Sequence, residues 1–231
     1  MQSEIRLRFY NRGRRCLRQT IQKKMVCSTE CSQMKNITVW RIDKFAEKVG
    51  EGALLSTLSQ FSVPLNKEVE SFIRNKALQA TKLKSSMSYV LVNEDIADVV
   101  AYFTILVKPF TINASCLSST NRRLISRFSE ENEESGNYTA SVYLLAQIGK
   151  NYSVSKEYQI SGKDLLSIAF EKFRVAQDVV GGKLVLIERE AERKKLHDFY
   201  KENGFKSWNT RFDQKDQILY DQMIRVVESV A

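Results

Sequence analysis

The segment from Tyr143 to Phe205 constrains the fold of this chain more than any other part of the sequence. Its hydrophobic pattern predicts a strand, a turn, a helix, a second strand and a second helix. Five of the nine glycines of the chain lie in it: Gly149, Gly162, Gly181, Gly182 and Gly204. A strand that leads through a glycine-bearing turn into a helix start indicates an anion-binding site, because free N–H groups and the helix dipole point there.

The composition is that of a soluble globular protein. The 231 residues, 43% of them hydrophobic and 27% charged, suffice for one large domain or two small ones. The best candidate for a membrane span, residues 97–107, is too short and is expected to form a buried strand. The N-terminus lacks the apolar core of a secretory signal. Because the four cysteines (Cys16, Cys27, Cys31 and Cys116) need no disulfide framework, we expect a cytoplasmic protein without membrane association.

Most of the net charge of +9 lies at one end of the chain. Residues 1–33 contain eight basic and two acidic residues, whereas residues 34–231 carry only three excess positive charges. We interpret residues 1–33 as a loosely ordered basic extension. A nucleic-acid-binding arm and a start assigned too early are the alternatives. We expect residues 34–231 to form one domain with an ordinary surface.

The first half of that domain alternates between helical and strand patterns. The sequence predicts a strand at Val39–Ile42, one or two helices within Lys44–Gln60, and a helix capped by Asn66 that runs to about Lys84. A hairpin follows, with strands at Ser88–Asn93 and Asp98–Val107, and Pro109 is expected to end it. Residues 113–137 form a long polar excursion.

The second half contains the longest helix. A nearly all-apolar strand at Thr139–Ile148, covered on both faces, precedes a helix from Ile160 to about Val180 that Gly181 and Gly182 stop. The remaining predicted elements are a strand at Lys183–Glu188, a helix at Glu192–Asn203, and strands at Phe205–Phe212 and Gln217–Val227. The fold class expected is α/β (α+β), with a mixed, mostly antiparallel central sheet flanked by helices.

Two motifs within this order of elements are typical of one family. The loop Gln159-Ile160-Ser161-Gly162-Lys163-Asp164 is similar to the pattern Gln/Arg-x-x-Gly-x-Gly/Ala, and about 40 residues later FYKENGF ends a helix at Phe205. A helix and a strand separate the two motifs. Together they resemble the GNAT superfamily of N-acetyltransferases over roughly residues 34–231, which implies a GNAT-like fold.

Asp164 departs from the family pattern, which has Gly or Ala there. A carboxylate facing a pyrophosphate would be repelled by it. Ser161 and Asp164 have, however, the spacing of a capping box, Ser-x-x-Asp. We therefore expect Ser161 to cap the helix and the Asp164 carboxylate to fold back to the N–H of the capping residue.

The resemblance implies acetyl-CoA as the donor, direct transfer of the acetyl group to a primary amine, and no metal. Its cofactor-binding residues would be Gln147, Ile148, Gly149 and Lys150 on the strand and Gln159, Ile160, Ser161, Gly162, Lys163 and Asp164 in the loop. In the family the strand splays at a bulge, here near Gln147–Gly149, and a freed N–H at Ile148 or Lys150 could polarise the thioester carbonyl. The alternatives are tight packing for Gly149 and a plain capped helix for the loop.

Two catalytic residues follow from the resemblance and from position. The tyrosine of the late motif, Tyr200, would protonate the departing CoA thiolate, unless its ring only packs beside Phe199 and Phe205. Glu188, at the end of its strand, is the candidate base, with a structural carboxylate as the alternative. His197 lies in a charged helix and is expected on the surface, and Cys116 has no neighbouring histidine that would activate it.

The acceptor amine stays open among a small molecule, a protein and an aminoacyl-tRNA. A tRNA acceptor predicts that basic residues line its site: Arg122, Arg123, Arg127 and Lys195. A hypothesis of another class is a non-catalytic module on a GNAT scaffold that binds acyl-CoA or nucleic acid. The sequence also leaves a homodimer open.

Overall fold

The computed structural model of the protein describes residues 36–228. The strands found there are β1 (Ile37–Arg41), β2 (Met87–Asn93), β3 (Asp98–Asn113), β4 (Glu131–Asn132), β5 (Asn137–Lys150), β6 (Leu184–Glu190), β7 (Lys206–Asp213) and β8 (Ile218–Val226). The helices found there are α1 (Ile42–Val49), α2 (Glu51–Leu58), α3 (Lys67–Asn75), α4 (Ala77–Lys82), α5 (Ser119–Ile125), α6 (Gly162–Val180) and α7 (Lys194–Glu202). The basic extension predicted for residues 1–33 lies outside the described residues, as do Cys16, Cys27 and Cys31.

The eight strands form one mixed sheet. Their order is β1-β2-β3-β5-β6-β8-β7, and β4 pairs with β5. β5 and β6 are parallel, whereas β1 and β2, β4 and β5, β6 and β8, and β7 and β8 are antiparallel. The predicted fold class, a mixed and mostly antiparallel sheet with helices, is therefore confirmed.

The described residues divide into two compact units. The first comprises residues 36–104 and 147–165. Its core contains apolar side chains of α1–α4 and of the hairpin, among them Phe45, Leu58, Phe61, Ile73 and Tyr102. At the start of α3, Asn66 accepts a hydrogen bond from the Val69 N–H at 3.0 Å, which confirms the predicted cap.

The second unit comprises residues 105–146 and 166–228. One core cluster lies between α5 and the sheet and includes Phe110, Ile125, Leu186, Trp208 and Ile224. A separate set of aromatic contacts joins Phe170 and Phe173 of α6 to each other, Phe170 to Phe205, and Phe205 to Tyr200 of α7. These contacts hold α7 against α6 and so fix the position of Tyr200.

Glycines end α6 and α7, as the sequence predicts. Gly181 and Gly182, after α6, have φ values of 73° and 88°, and Gly204, after α7, has a φ of 84°. Side chains other than glycine rarely adopt such φ values. The chain must therefore leave both helices at these positions.

The prediction that Pro109 ends a strand is wrong. β3 runs through Pro109 to Asn113 and has sixteen residues, whereas its neighbour β2 has seven. Pro109 lies in the part of β3 that continues past the end of β2, and it is exposed. Since no donor toward β2 is needed there, the missing N–H of proline does not interrupt the strand.

The prediction that both faces of the next strand are covered is wrong for the first half of that strand. β5 is longer than expected, and in its first half Thr139 and Ser141 are exposed while Tyr138, Ala140 and Val142 are buried in the core cluster of the second unit. One face of this part of the strand is solvated, as an antiparallel pairing such as that with β4 allows.

Candidate functional site

The ladder between β5 and β6 is short. It consists of the pairs Tyr143–Val185 and Leu144–Leu186, although β6 continues to Glu190. β5 itself continues to Lys150, and its residues from Gln147 onward belong to the first unit. Gln147 and Ile148 are both partly exposed, so the alternation of buried and exposed side chains expected of a regular strand is lost there.

Gly149 is required by packing. A β-carbon at this position would lie 2.7 Å from Cγ1 of Val69 and 3.2 Å from Cε1 of Tyr102. Tyr102 is fully buried and donates a hydrogen bond from its hydroxyl to the Val69 carbonyl at 2.6 Å. Strand β5 therefore lies against α3 with no space for a side chain, in agreement with the packing alternative for this glycine.

The side chain of Gln147 reaches the first turn of α3. Its Nε2 donates to Oε1 of Glu68 at 3.3 Å. Its Oε1 is buried and has no hydrogen-bond partner among the described residues. This contact joins positions 79 residues apart, and the sequence carries no signal for it.

Asn151 fixes the end of β5. Its side chain accepts a hydrogen bond from the Ser62 N–H at 3.0 Å and donates to the Val99 carbonyl at 2.8 Å. Buried polar side chains with both functions satisfied rigidify the backbone around them. Sequence reasoning missed this residue, since its partners lie in distant elements.

The predicted cofactor loop leads into α6 as a capped helix start. Ile160 is buried, whereas Ser161 and Lys163 are exposed. Gln159 donates from Nε2 to the Val154 carbonyl at 3.2 Å, which ties the loop to the turn before it. Within the described residues no hydrogen bond is recorded for the N–H groups of Gly162 and Lys163, so this helix start retains unbonded donors.

Asp164, which stands where the family pattern has Gly or Ala, takes part in a capping interaction. The Asp164 N–H donates to Oγ of Ser161 at 3.1 Å, as predicted for the cap. The Asp164 carboxylate accepts from the Ser161 hydroxyl at 2.6 Å, rather than from the backbone N–H that the capping-box pattern predicts. The carboxylate is thereby engaged by its own helix start.

In the second unit, Tyr200 is packed within the aromatic set. The ring lies 5.2 Å from that of Phe199 and 5.4 Å from that of Phe205, both nearly edge to face, and the residue is 5% exposed. Burial raises the pKa of Tyr200 to about 12. The phenol therefore stays protonated throughout the physiological range and is available as a proton donor, but not as a phenolate base.

Glu188 lies in a network of cations and amides on the sheet. Its Oε1 accepts from Gln222 at 2.7 Å and from Arg211 at 3.3 Å, and its Oε2 is 3.7 Å from Nζ of Lys108. A carboxylate with three such partners joins β6 to β8, β7 and β3. This environment favours the structural alternative, because a base would have to give up these contacts to accept a proton. No contact between Glu188 and Tyr200 is recorded in the described part of the second unit.

His197 and Cys116 are the two other residues considered for catalysis. His197 lies on α7 and is 3.2 Å from Asp198, and Cys116 is exposed. Nowhere in residues 36–228 do three or more His, Cys, Asp or Glu side chains group so as to hold a metal ion. None of the helices formed by these residues is long and apolar enough to cross a membrane.

The basic residues named for a nucleic-acid acceptor differ in their surroundings. Arg122 on α5 donates to Glu131 at 2.6 Å, and Glu131 also accepts from the Tyr138 hydroxyl at 2.8 Å. Arg123, Arg127 and Lys195 are exposed. Arg122 is thus part of a structural network, and the other three are available on the surface.

Known proteins share the fold but little sequence. No protein-family model matches the chain, and no curated protein matches it. A tyrosine-to-phenylalanine mutant of KacT has a TM-score of 0.55 at 18% identity, over 81% of this chain and 95% of that chain. AtaT complexed with acetyl-methionyl-tRNAfMet has a TM-score of 0.53 at 17% identity, over 80% and 94%. An AtaT mutant toxin bound to acetyl-CoA and the C-terminus of the antitoxin AtaR has a TM-score of 0.52 at 16% identity, over 81% and 94%. The GNAT-like fold implied by the sequence motifs is confirmed.

Proposed function

We propose that this protein is an acetyl-CoA-dependent N-acetyltransferase that transfers an acetyl group directly to a primary amine. The observation that supports this most is the start of α6: a capped helix with unbonded N–H groups at Gly162 and Lys163, in a GNAT-like fold. Such a helix start attracts a pyrophosphate. Solved relatives of this fold include an AtaT mutant bound to acetyl-CoA.

In this proposal two segments bind acetyl-CoA. The loop Gln159–Asp164 binds the pyrophosphate through backbone N–H groups, and the exposed Lys163 adds a positive charge. The backbone of Gln147–Lys150 pairs with the pantetheine amides as an added strand would. An N–H of Ile148 or Lys150 polarises the thioester carbonyl, a contact worth about 3–4 kcal/mol where oxyanion donors have been removed.

Tyr200 is the proposed general acid. The nitrogen of the amine attacks the thioester carbon, the C–S bond breaks, and the thiolate takes a proton from the phenol. Burial keeps that phenol protonated, so its proton is present at neutral pH. Glu188 stays a candidate base, although its contacts with Gln222, Arg211 and Lys108 argue for a structural role.

An aminoacyl-tRNA is the proposed acceptor class to test first. AtaT has been solved with acetyl-methionyl-tRNAfMet, and the exposed Arg123, Arg127 and Lys195 could contact phosphates here. The double charge reversal Arg123→Glu/Arg127→Glu is expected to abolish acetylation of aminoacyl-tRNA and to spare that of a small amine. Unchanged acetylation of the tRNA would exclude this surface as the tRNA site.

The deciding experiment combines calorimetry of acetyl-CoA binding with thiol release, for the wild type and Tyr200→Phe. Three acceptor probes are used: total aminoacyl-tRNA, a tripeptide with a free α-amino group, and spermidine. Acetyl-CoA binding together with thiol release that falls in the variant supports the proposal. Binding without acetylation of any probe favours the non-catalytic acyl-CoA-binding module, and no binding contradicts the assignment at the Gln159–Asp164 loop.

A further inference from the structure

The first turn of α3 brings a carboxylate to the strand segment proposed to bind pantetheine. Glu68 is exposed, and its Oε1 accepts the hydrogen bond from Gln147 Nε2. Gln147 is the first residue of the Gln147–Lys150 segment. If that segment pairs with the pantetheine arm, whose end carries the acetyl group, Glu68 lies beside the reacting end of the donor.

The position of Glu68 is fixed by its neighbours within the first unit. Asn66 caps α3 two residues earlier, and the next residue, Val69, contacts the β5 backbone at Gly149 and accepts the Tyr102 hydroxyl through its carbonyl. Burial and, to a smaller extent, the Glu68 carboxylate raise the pKa of Tyr102. These contacts fix the backbone from which the Glu68 side chain extends, and the hydrogen bond from Gln147 orients its carboxylate.

Unlike several other carboxylates of the first unit, Glu68 forms no ion pair within the described residues. Asp43, Glu47, Glu51 and Glu70 each form an ion pair with a lysine or an arginine. Among the described residues no ion pair is recorded for Glu68, whose recorded partner is the neutral amide of Gln147. Beside it, Oε1 of Gln147 is buried without a donor, an arrangement that costs about 1–3 kcal/mol. The exposed Glu68 carboxylate therefore offers acceptor capacity for N–H donors, of which a primary ammonium has three.

We infer that Glu68 binds the protonated acceptor amine and removes its proton, with Gln147 as the residue that positions the carboxylate. The inference rests on the proposed function and specifies its substrate: an amine that arrives as a cation. An amine with a pKa near 10 is protonated at neutral pH and cannot attack until it loses a proton.

The proton balance assigns each group one task. The ammonium gives one proton to the Glu68 carboxylate, which frees the nitrogen lone pair to attack the thioester carbon. The C–S bond breaks with its electron pair on sulfur, and the thiolate takes a proton from the general acid of the proposed function. The second nitrogen proton, lost as the amide forms, restores that acid through water. Glu68 then releases its proton to water, so one proton leaves per turnover.

The test compares Glu68→Gln with Glu188→Gln and with Glu134→Gln, an exposed carboxylate as matched control. Acceptors are whichever of the three cationic probes the wild type acetylates, together with methoxyamine, a nucleophile that is uncharged at neutral pH. Glu68→Gln should lower kcat/KM by about tenfold to a hundredfold for the cationic amines and by less than about threefold for methoxyamine. The Kd of acetyl-CoA should stay within about twofold of the wild-type value, because the variant leaves the cofactor segments intact.

Gln147→Leu should lower kcat/KM less than Glu68→Gln does, but again more for the cationic amines than for methoxyamine. A merely structural role of Gln147 would not produce this difference between the acceptors. The inference would be overturned if Glu68→Gln lowered kcat/KM equally for methoxyamine and the cationic amines, or did not lower it at all. It would also be overturned if Glu188→Gln, and not Glu68→Gln, lowered kcat/KM selectively for the cationic amines. A wild type that acetylates no probe would contradict the proposed function itself, a result distinguishable from these.

Discussion

The side chains of Ser161 and Asp164 bond each other at the start of α6. The Ser161 hydroxyl receives the Asp164 N–H at 3.1 Å and donates to the Asp164 carboxylate at 2.6 Å. The family pattern has a small residue at position 164, and this chain has an acid whose charge is engaged by the cap. Under the proposed function, this interaction leaves the N–H groups of Gly162 and Lys163 available to the pyrophosphate.

Ser161→Ala should destabilise the protein. Loss of an N-cap side chain costs about 1 kcal/mol, so the free energy of unfolding in urea should fall by roughly that amount. The acetyl-CoA affinity should fall as well, because the released Asp164 carboxylate would repel the pyrophosphate. Ser167→Ala on the exposed face of α6 is the control and should be neutral or slightly stabilising. Equal stability of the two variants would contradict the cap.

Gly149→Ala should destabilise the first unit by about 1–3 kcal/mol, since the new methyl group would lie 2.7 Å from Cγ1 of Val69. Gly52→Ala is the matched control: no atom lies within 4 Å of its β-carbon position, and alanine favours the helix it belongs to. Chemical denaturation measures both. In the double mutant with Val69→Ala, the two costs should be less than additive; strict additivity would show that the contact does not limit this position.

Tyr200→Phe should separate chemistry from packing. The phenylalanine ring keeps the contacts with Phe199 and Phe205, so the free energy of unfolding should change by no more than about 1 kcal/mol, whereas Tyr200→Ala should lose about 3–5 kcal/mol. Thiol release should fall strongly in both. An ultraviolet titration of the wild type against Tyr200→Phe should show one phenol that ionises only near pH 12. Ionisation of that phenol near pH 10 would show that it is not buried.

Asp43 should make stability depend on pH in the acid range. The hydrogen bond from Arg41, at 2.6 Å, lowers the pKa of Asp43 to about 2, from an unfolded value of about 4. A lowered folded-state pKa contributes stability that is present above pH 4 and is lost as the pH falls toward 2, here roughly 2 kcal/mol. The stability difference between wild type and Asp43→Asn should therefore shrink between pH 5 and about pH 2. Urea unfolding at several pH values checks this, with Glu134→Gln as control; a constant difference would contradict the lowered pKa.

Helix caps and helix ends could be predicted from the sequence because they depend on local interactions. Asn66 and Ser161 cap helices because their side-chain oxygens reach a backbone N–H three residues on, whatever surrounds them. Gly181 and Gly204 end helices because few other residues adopt their positive φ. The periods of apolar residues located most strands and helices, and with two motifs they were enough to predict the mixed sheet. They missed the end of β3 by six residues, predicted one helix where α3 and α4 are separate, and did not predict β4.

Long-range packing decided what the sequence missed. Pro109 is tolerated in β3 because the neighbouring strand β2 is short. The residues around the proline do not show how far its neighbouring strand extends. The sequence shows Glu188 only as an acidic residue at the end of a strand. Its contacts with Lys108, Arg211 and Gln222 arise from the tertiary structure.

The sequence by itself determined most elements and their caps, since each depends on residues within a few positions of one another. The order of these elements, together with the two motifs, also predicted the fold. The tertiary structure alone decided which polar groups meet. Glu68 and Gln147 lie 79 residues apart and become partners only because Gly149 lets strand β5 approach Val69 at the start of α3. Burial, charge pairing and close approach are properties of that packing, and they determine which side chains are free to act on a substrate.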